Sequence, residues 1–128
     1  MGHVYVQARV SARRGASVRL LVDTGATYTI VPPQLVRRVG ASLLPRRFAV
    51  SLANGTSRRL YACSIGIRVG GRAGPTTALI LPGGEPLLDV ETLEALGLRV
   101  NPERRRLEPS RRRAALLVGL RLRRPSNR

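Results

Sequence analysis

One short segment has residue types and spacing that could do hydrolytic chemistry: Leu20-Leu21-Val22-Asp23-Thr24-Gly25-Ala26-Thr27. A carboxylate directly follows an apolar run and is itself followed by Thr and Gly. A buried strand would deliver Asp23 to a fixed place, and Gly25 would let the backbone turn sharply beside it. A carboxylate held this way can take or give a proton. The tripeptide alone is also ordinary turn chemistry, because Asp and Gly are both common in turns. Competing chemistries lack their residues. His3 is the single histidine, which removes Ser-His and Cys-His catalysis from one chain. Cys63 is the single cysteine, so neither an internal disulfide nor a cysteine-built zinc site can form. No cofactor or metal is expected.

The elements that would position Asp23 can be read from the pattern around it. His3 to Val10 alternates as a half-buried strand, with Val4, Val6, Ala8 and Val10 on one face. Ser11 to Ala16 reads as a turn, and Ser17 to Val22 as a second strand that ends at Asp23. Tyr28 to Val31 is again strand-like. Pro32 and Pro33 suit the first turn of a short helix over Gln34 to Val39, which Gly40 would end. Two extended arms between Phe48 and Leu60 flank Asn54-Gly55, a dipeptide suited to a tight hairpin turn. Tyr61 to Val69 and Pro75 to Leu81 read as strands. Leu87-Leu88 precede Asp89, which would N-cap a second helix over Val90 to Leu96. A closing hairpin is expected from Leu98 to Leu107, around Asn101-Pro102.

Composition sets the frame for these elements. The chain has 128 residues, suited to one domain over 1–109, followed by a basic tail over 110–128. Aromatics make up 3%, so the core must rest on Val, Leu, Ile and Ala, and 13 Gly with 9 Pro favour short strands and tight turns. The net charge is +16 and every basic residue is Arg. Such a field can bind polyanions. However, the arginines are spread along the chain, and aromatic stacking platforms for single strands are lacking. A basic nucleic-acid module is therefore a lesser reading. The apolar run Ala114 to Leu120 is far short of the roughly 20 residues that span a bilayer. With one cysteine and no evident leader, a soluble cytoplasmic protein is the expectation.

The order hairpin, apolar strand, Asp23-Thr24-Gly25-Ala26-Thr27, helix, Asn-Gly hairpin, strands and Leu-Leu plus helix resembles the retropepsin-like aspartic proteases, especially their single-lobe bacterial members. The resemblance runs from about Val4 to Leu107. It implies an all-β fold, a closed barrel with one or two short helices, acting as a homodimeric endopeptidase on protein or peptide substrates. Asp23, Thr24 and Gly25 would form the catalytic loop. Ala26 and Thr27 would meet substrate together with a flap of Ala53, Asn54, Gly55 and Thr56. The chief departure is Asp89, which stands where the family has a tightly packed Gly. Asp89 could be a helix N-cap in a slightly relaxed loop, or it could disturb the acidic loop. The second case would leave a pseudo-protease that binds extended peptides or protein partners without cutting them.

Overall fold

Alternation of Val, Ala and Leu with Arg, Gln and Ser drives the first hairpin. In a computed structural model that describes residues 3–52 and 54–110, β1 (Val4–Ser11) and β2 (Gly15–Asp23) pair antiparallel, with Val4 opposite Val22 and Ser11 opposite Gly15. Val4, Ala8 and Val10 from β1 meet Ala16, Leu20 and Val22 from β2 inside, while the intervening polar side chains face outward.

Six strands close the barrel in the order β1-β2-β8-β3-β7-β6. The other members are β3 (Thr29–Val31), β6 (Ala62–Val69), β7 (Arg72–Ile80) and β8 (Leu87–Asp89). The three-residue β8 lies parallel to β2 and meets β3 through the Ile30–Leu87 pair. The all-β closed barrel expected from the sequence is therefore present. Leu20, Ile67, Leu79, Leu88, Leu93, Val10, Val31 and Val39, from the strands and from the helices packed on them, are fully buried. The aliphatic interior follows from the scarcity of aromatics.

Both helices are short. In α1 (Pro33–Val39) Leu35, Val36 and Val39 are buried, and Gly40 ends it at φ +70°. Only glycine adopts that angle without strain. Arg14 donates from Nε to the Arg38 carbonyl (2.9 Å) and from Nη2 to the Arg37 carbonyl (3.1 Å). This ties the first hairpin turn to the negative end of α1. The second helix, α2 (Val90–Ala95), is capped by Asp89 and ends at Ala95, one residue earlier than the sequence implied, with Leu96 as its C-cap.

Outside the barrel, β4 (Phe48–Ser51) and β5 (Ser57–Leu60) form a separate hairpin. The last pair, β9 (Leu98–Asn101) and β10 (Arg106–Pro109), sets Val100 and Leu107 against the core. β7 starts at Arg72, three residues ahead of the expected Pro75. Pro75 faces Gly66 in the half of β7 that β3 does not reach, where a missing N–H is tolerated. Among the described residues no helix is long and apolar enough to cross a membrane. Ala53, and the basic tail beyond Ser110, lie outside the described residues.

Candidate active site

Asp23 is the last residue of β2, and its backbone is fixed by the parallel register with β8: Leu21 beside Leu87, Val22 beside Leu88, Asp23 beside Asp89. The chain then turns at once. The Ala26 amide donates to the Asp23 carbonyl (3.1 Å), and the Gly25 amide donates to Asp23 Oδ1 (2.9 Å). One carboxylate oxygen is thereby fixed, and the half-buried side chain opens toward a groove.

Gly25 departs from the reason the sequence suggested for it. It is absent from the positive-φ glycines, so the turn does not require a backbone conformation reserved for glycine. A Cβ built there would meet only Asp23 Oδ1, at 3.4 Å. That is ordinary van der Waals contact, so glycine leaves the space beside this oxygen open without being required there. Thr24 is exposed, and among the described residues its hydroxyl has no hydrogen-bond partner.

The groove has a volume of about 750 Å³. Asp23, Gly25, Ala26, Thr27 and Tyr28 form one side, and Ala49, Val50, Ser51, Leu52 and Asn54 from the β4–β5 hairpin form another. Ile30, Leu79, Leu81 and Leu87 complete the apolar lining. Among the described residues, Asp23 is its single ionisable group apart from the Tyr28 phenol. The structure therefore brings Asp23, Gly25, Ala26, Thr27 and Asn54 to one cavity. Thr24, Gly55 and Thr56 are not among the residues that line it, and Ala53 is outside the described residues.

The apolar walls were not singled out by the sequence. They come from β3, β7, β8 and the segments after them, whose side chains carry no mark beyond hydrophobicity. Tyr28 links the two sides. Its ring meets Phe48 edge to face, with centroids 6.0 Å apart, so the residue after the acidic loop braces the base of the hairpin.

The hairpin tip is built as its sequence implies. Asn54 Oδ1 accepts from the Thr56 amide (3.0 Å) and hydroxyl (2.6 Å), the Gly55 amide donates to the Leu52 carbonyl (2.9 Å), and Gly55 sits at φ +87°. A second hollow, lined by Arg9, Ser11, Gly66 and Arg68 among others, contains no carboxylate. Cys63 is buried in the core, where desolvation pushes its thiol up and away from nucleophilic use.

Asp89 is an N-cap, but the loop around it is not relaxed. Its backbone is ordinary extended chain at φ −80°, ψ 159°, so nothing there demands glycine. Its side chain is 3% exposed and turned inward. Oδ1 accepts from the Thr29 hydroxyl (2.7 Å) and the Thr92 hydroxyl (2.6 Å), and Oδ2 accepts from the Thr92 amide (3.2 Å). The family expectation that no side chain fits at this point fails here, because two threonines supply a lined polar niche.

Residues 6–93, most of the chain, match the family model described as aspartyl protease. Among solved structures, the chain resembles the EIAV protease complexed with the inhibitor HBY-793. The TM-score is 0.65 and the identity 16%, over 78% of this chain and 93% of that one. At that identity the likeness concerns the fold alone. No curated protein matches the chain.

Proposed function

The chain belongs to the aspartyl protease family, and from that premise we propose that it is an endopeptidase whose active site forms between two Asp23 carboxylates of a homodimer. The observation that carries this reading is the setting of Asp23. Among the described residues it is the one carboxylate lining the groove, held by the Gly25 amide through one oxygen. Hydrolysis by this chemistry needs two carboxylates so close that they share one proton. One chain offers one, so a twofold-related copy supplies the other.

In the proposed reaction the charged Asp23 takes a proton from a bound water as that water attacks the peptide carbonyl. The protonated Asp23 of the second copy gives its proton to the carbonyl oxygen. Gly25 leaves room for the substrate backbone beside the carboxylate, and the unpartnered hydroxyl of Thr24 is available to bond across the dimer. Ala26, Thr27 and the tip over residues 53–56 meet an extended peptide, with the β4–β5 hairpin closing over it as a flap. The apolar walls favour apolar substrate side chains. A lone, buried Cys63 suits a reducing compartment such as the cytoplasm. The pseudo-protease alternative rests on Asp89 disturbing the loop or adding a negative charge beside the dyad. That side chain instead accepts three hydrogen bonds, and the turn at Asp23 keeps both of its bonds, which favours the protease reading.

The test is cleavage of an unstructured protein between pH 3 and 8 by wild type, by Asp23→Asn, and by mixtures refolded together. Asp23→Asn is expected to lose activity by at least about 10²-fold. If each site needs two Asp23, an equal mixture retains about a quarter of the wild-type rate, because only that share of dimers carries two aspartates. A mixture that retains half would place a whole site in one chain and end the homodimer reading. Full activity in the variant would end the assignment of Asp23.

A further inference from the structure

We infer that Asp89 is a positioning residue that clamps both ends of the acidic loop, an inference that rests on the function proposed above. The loop leaves the barrel at Asp23 and re-enters it at Thr29. At the first end, Asp23 and Asp89 are register partners on the parallel strands β2 and β8. At the second, the Thr29 hydroxyl donates to Asp89 Oδ1 at 2.7 Å. A single residue thus fixes where the loop begins and where it ends.

The clamp is itself anchored. The Thr92 hydroxyl has one proton and gives it to Asp89 Oδ1, so the 2.8 Å contact between Thr76 and Thr92 must be donated by Thr76. The resulting chain, Thr76 to Thr92 to Asp89 with Thr29 joining from the other side, links β7, α2, β8 and β3. Thr29 is 0% exposed, Asp89 3% and Thr92 9%, so water has little access to replace a lost partner. Charge-assisted hydrogen bonds in a dry network are among the stiffer restraints available to a protein. A glycine at position 89 would leave two hydroxyls and an amide facing an empty niche. It would also release the Thr29 end of the loop. The paired carboxylates of a dyad must be held to within roughly 0.5 Å, so slack in this loop reaches the chemistry directly.

Two variants of the full chain test this, Asp89→Gly and Thr29→Val, each read by amide hydrogen exchange and by steady-state kinetics on a peptide substrate. Thr29→Val removes the loop-end bond while leaving the Asp89 cap on α2 intact, so a capping role alone predicts no effect on the loop. The clamp predicts that the Gly25 and Ala26 amides, which bond to Asp23, exchange about tenfold faster or more in both variants, relative to barrel-strand amides. It also predicts that kcat falls by about 10-fold to 100-fold with KM changing less. Unchanged loop exchange in Thr29→Val, with the protein folded, would overturn the clamp. So would a kcat that rises when Gly is placed at 89. Exchange is read without turnover. A wild type that cuts nothing would therefore refute the proposed function while the exchange result still decided the clamp.

Discussion

Replacing Thr29 by Val should change the sign of its effect on stability according to what stands at position 89. In the wild-type background the substitution keeps the β-branched shape and removes only the hydroxyl that donates to Asp89 Oδ1 at 2.7 Å. A buried hydrogen bond to a charged group contributes about 1.5–3 kcal/mol, so Thr29→Val should destabilise by about 2 kcal/mol. Asp89→Ala removes the cap on Thr92, worth about 1 kcal/mol, and strands the Thr29 hydroxyl in a site with no exposure. The Thr92 hydroxyl can still turn to Thr76, 2.8 Å away, which limits the loss to about 2–4 kcal/mol in total. With Ala already at 89, Thr29→Val only deletes an unsatisfied hydroxyl and should be neutral or mildly stabilising. The coupling energy of the cycle is then about 2 kcal/mol. The assay is urea unfolding of the four proteins at one fixed protein concentration, because dimerisation would make the midpoints concentration-dependent. Additivity within about 0.5 kcal/mol would mean that the two residues do not act through each other, and the reasoning would fail.

The proposed flap and the closing hairpin yield two further expectations. Gly55→Ala places a side chain at φ +87°, where no neighbour within 4 Å obstructs it, so the penalty is backbone strain of about 1 kcal/mol confined to the hairpin tip. Peptide kinetics should show a raised KM or a lowered kcat with little change in global stability, and unaltered kinetics would remove the tip from substrate binding. The hydrogen bond from Asn101, with the Arg99 ion pair at 2.9 Å, holds the Glu108 carboxyl below the ordinary value of 4.5. A depressed folded-state value stabilises β9–β10 above the ordinary carboxylate range, and that contribution disappears as pH falls through the lowered value. An NMR titration of Glu108 should place its midpoint below 4.5, and Glu108→Gln should remove the acid-dependent loosening of this hairpin. A midpoint at or above 4.5 would contradict the geometry.

What the sequence disclosed depended on how far apart the cooperating residues lie. Alternation from Val4 to Val10 marks β1 because period two is a local property. Asn54-Gly55 marks the hairpin because the turn chemistry is carried by adjacent residues. In contrast, β8 is three residues long, too short to have a period. Its place between β2 and β3 depends on pairings across about 60 residues. The Thr29 to Asp89 bond spans the same interval, so a cap could be read from Asp89 and its following helix, but a clamp could not. The groove walls stayed hidden for another reason. Leu79 and Leu81 are apolar residues in an apolar segment, and only the approach of the β4–β5 hairpin makes them a surface. Gly25 is the opposite case, where the residue was noticed for a backbone freedom that its conformation does not use.

Two aspartates stand in register on adjacent strands, and the donors around each decide which one is open to the groove. Asp89 is met by three donors and nearly sealed from solvent, so neither oxygen can reach a water in the groove. Asp23 receives one donor, the Gly25 amide, and keeps its other oxygen open to the cavity. The same β2–β8 pairing that fixes the open carboxylate is continued, through the closed one, to Thr29 at the far end of the loop. Three donors and near-complete burial turn the Asp89 carboxylate inward, away from the groove that Asp23 lines. Under the proposed function, the second carboxylate of the dyad therefore comes from a second copy of the chain rather than from Asp89. Under the proposed clamp, substituting Gly at 89 would withdraw the bonds to Thr29 and Thr92.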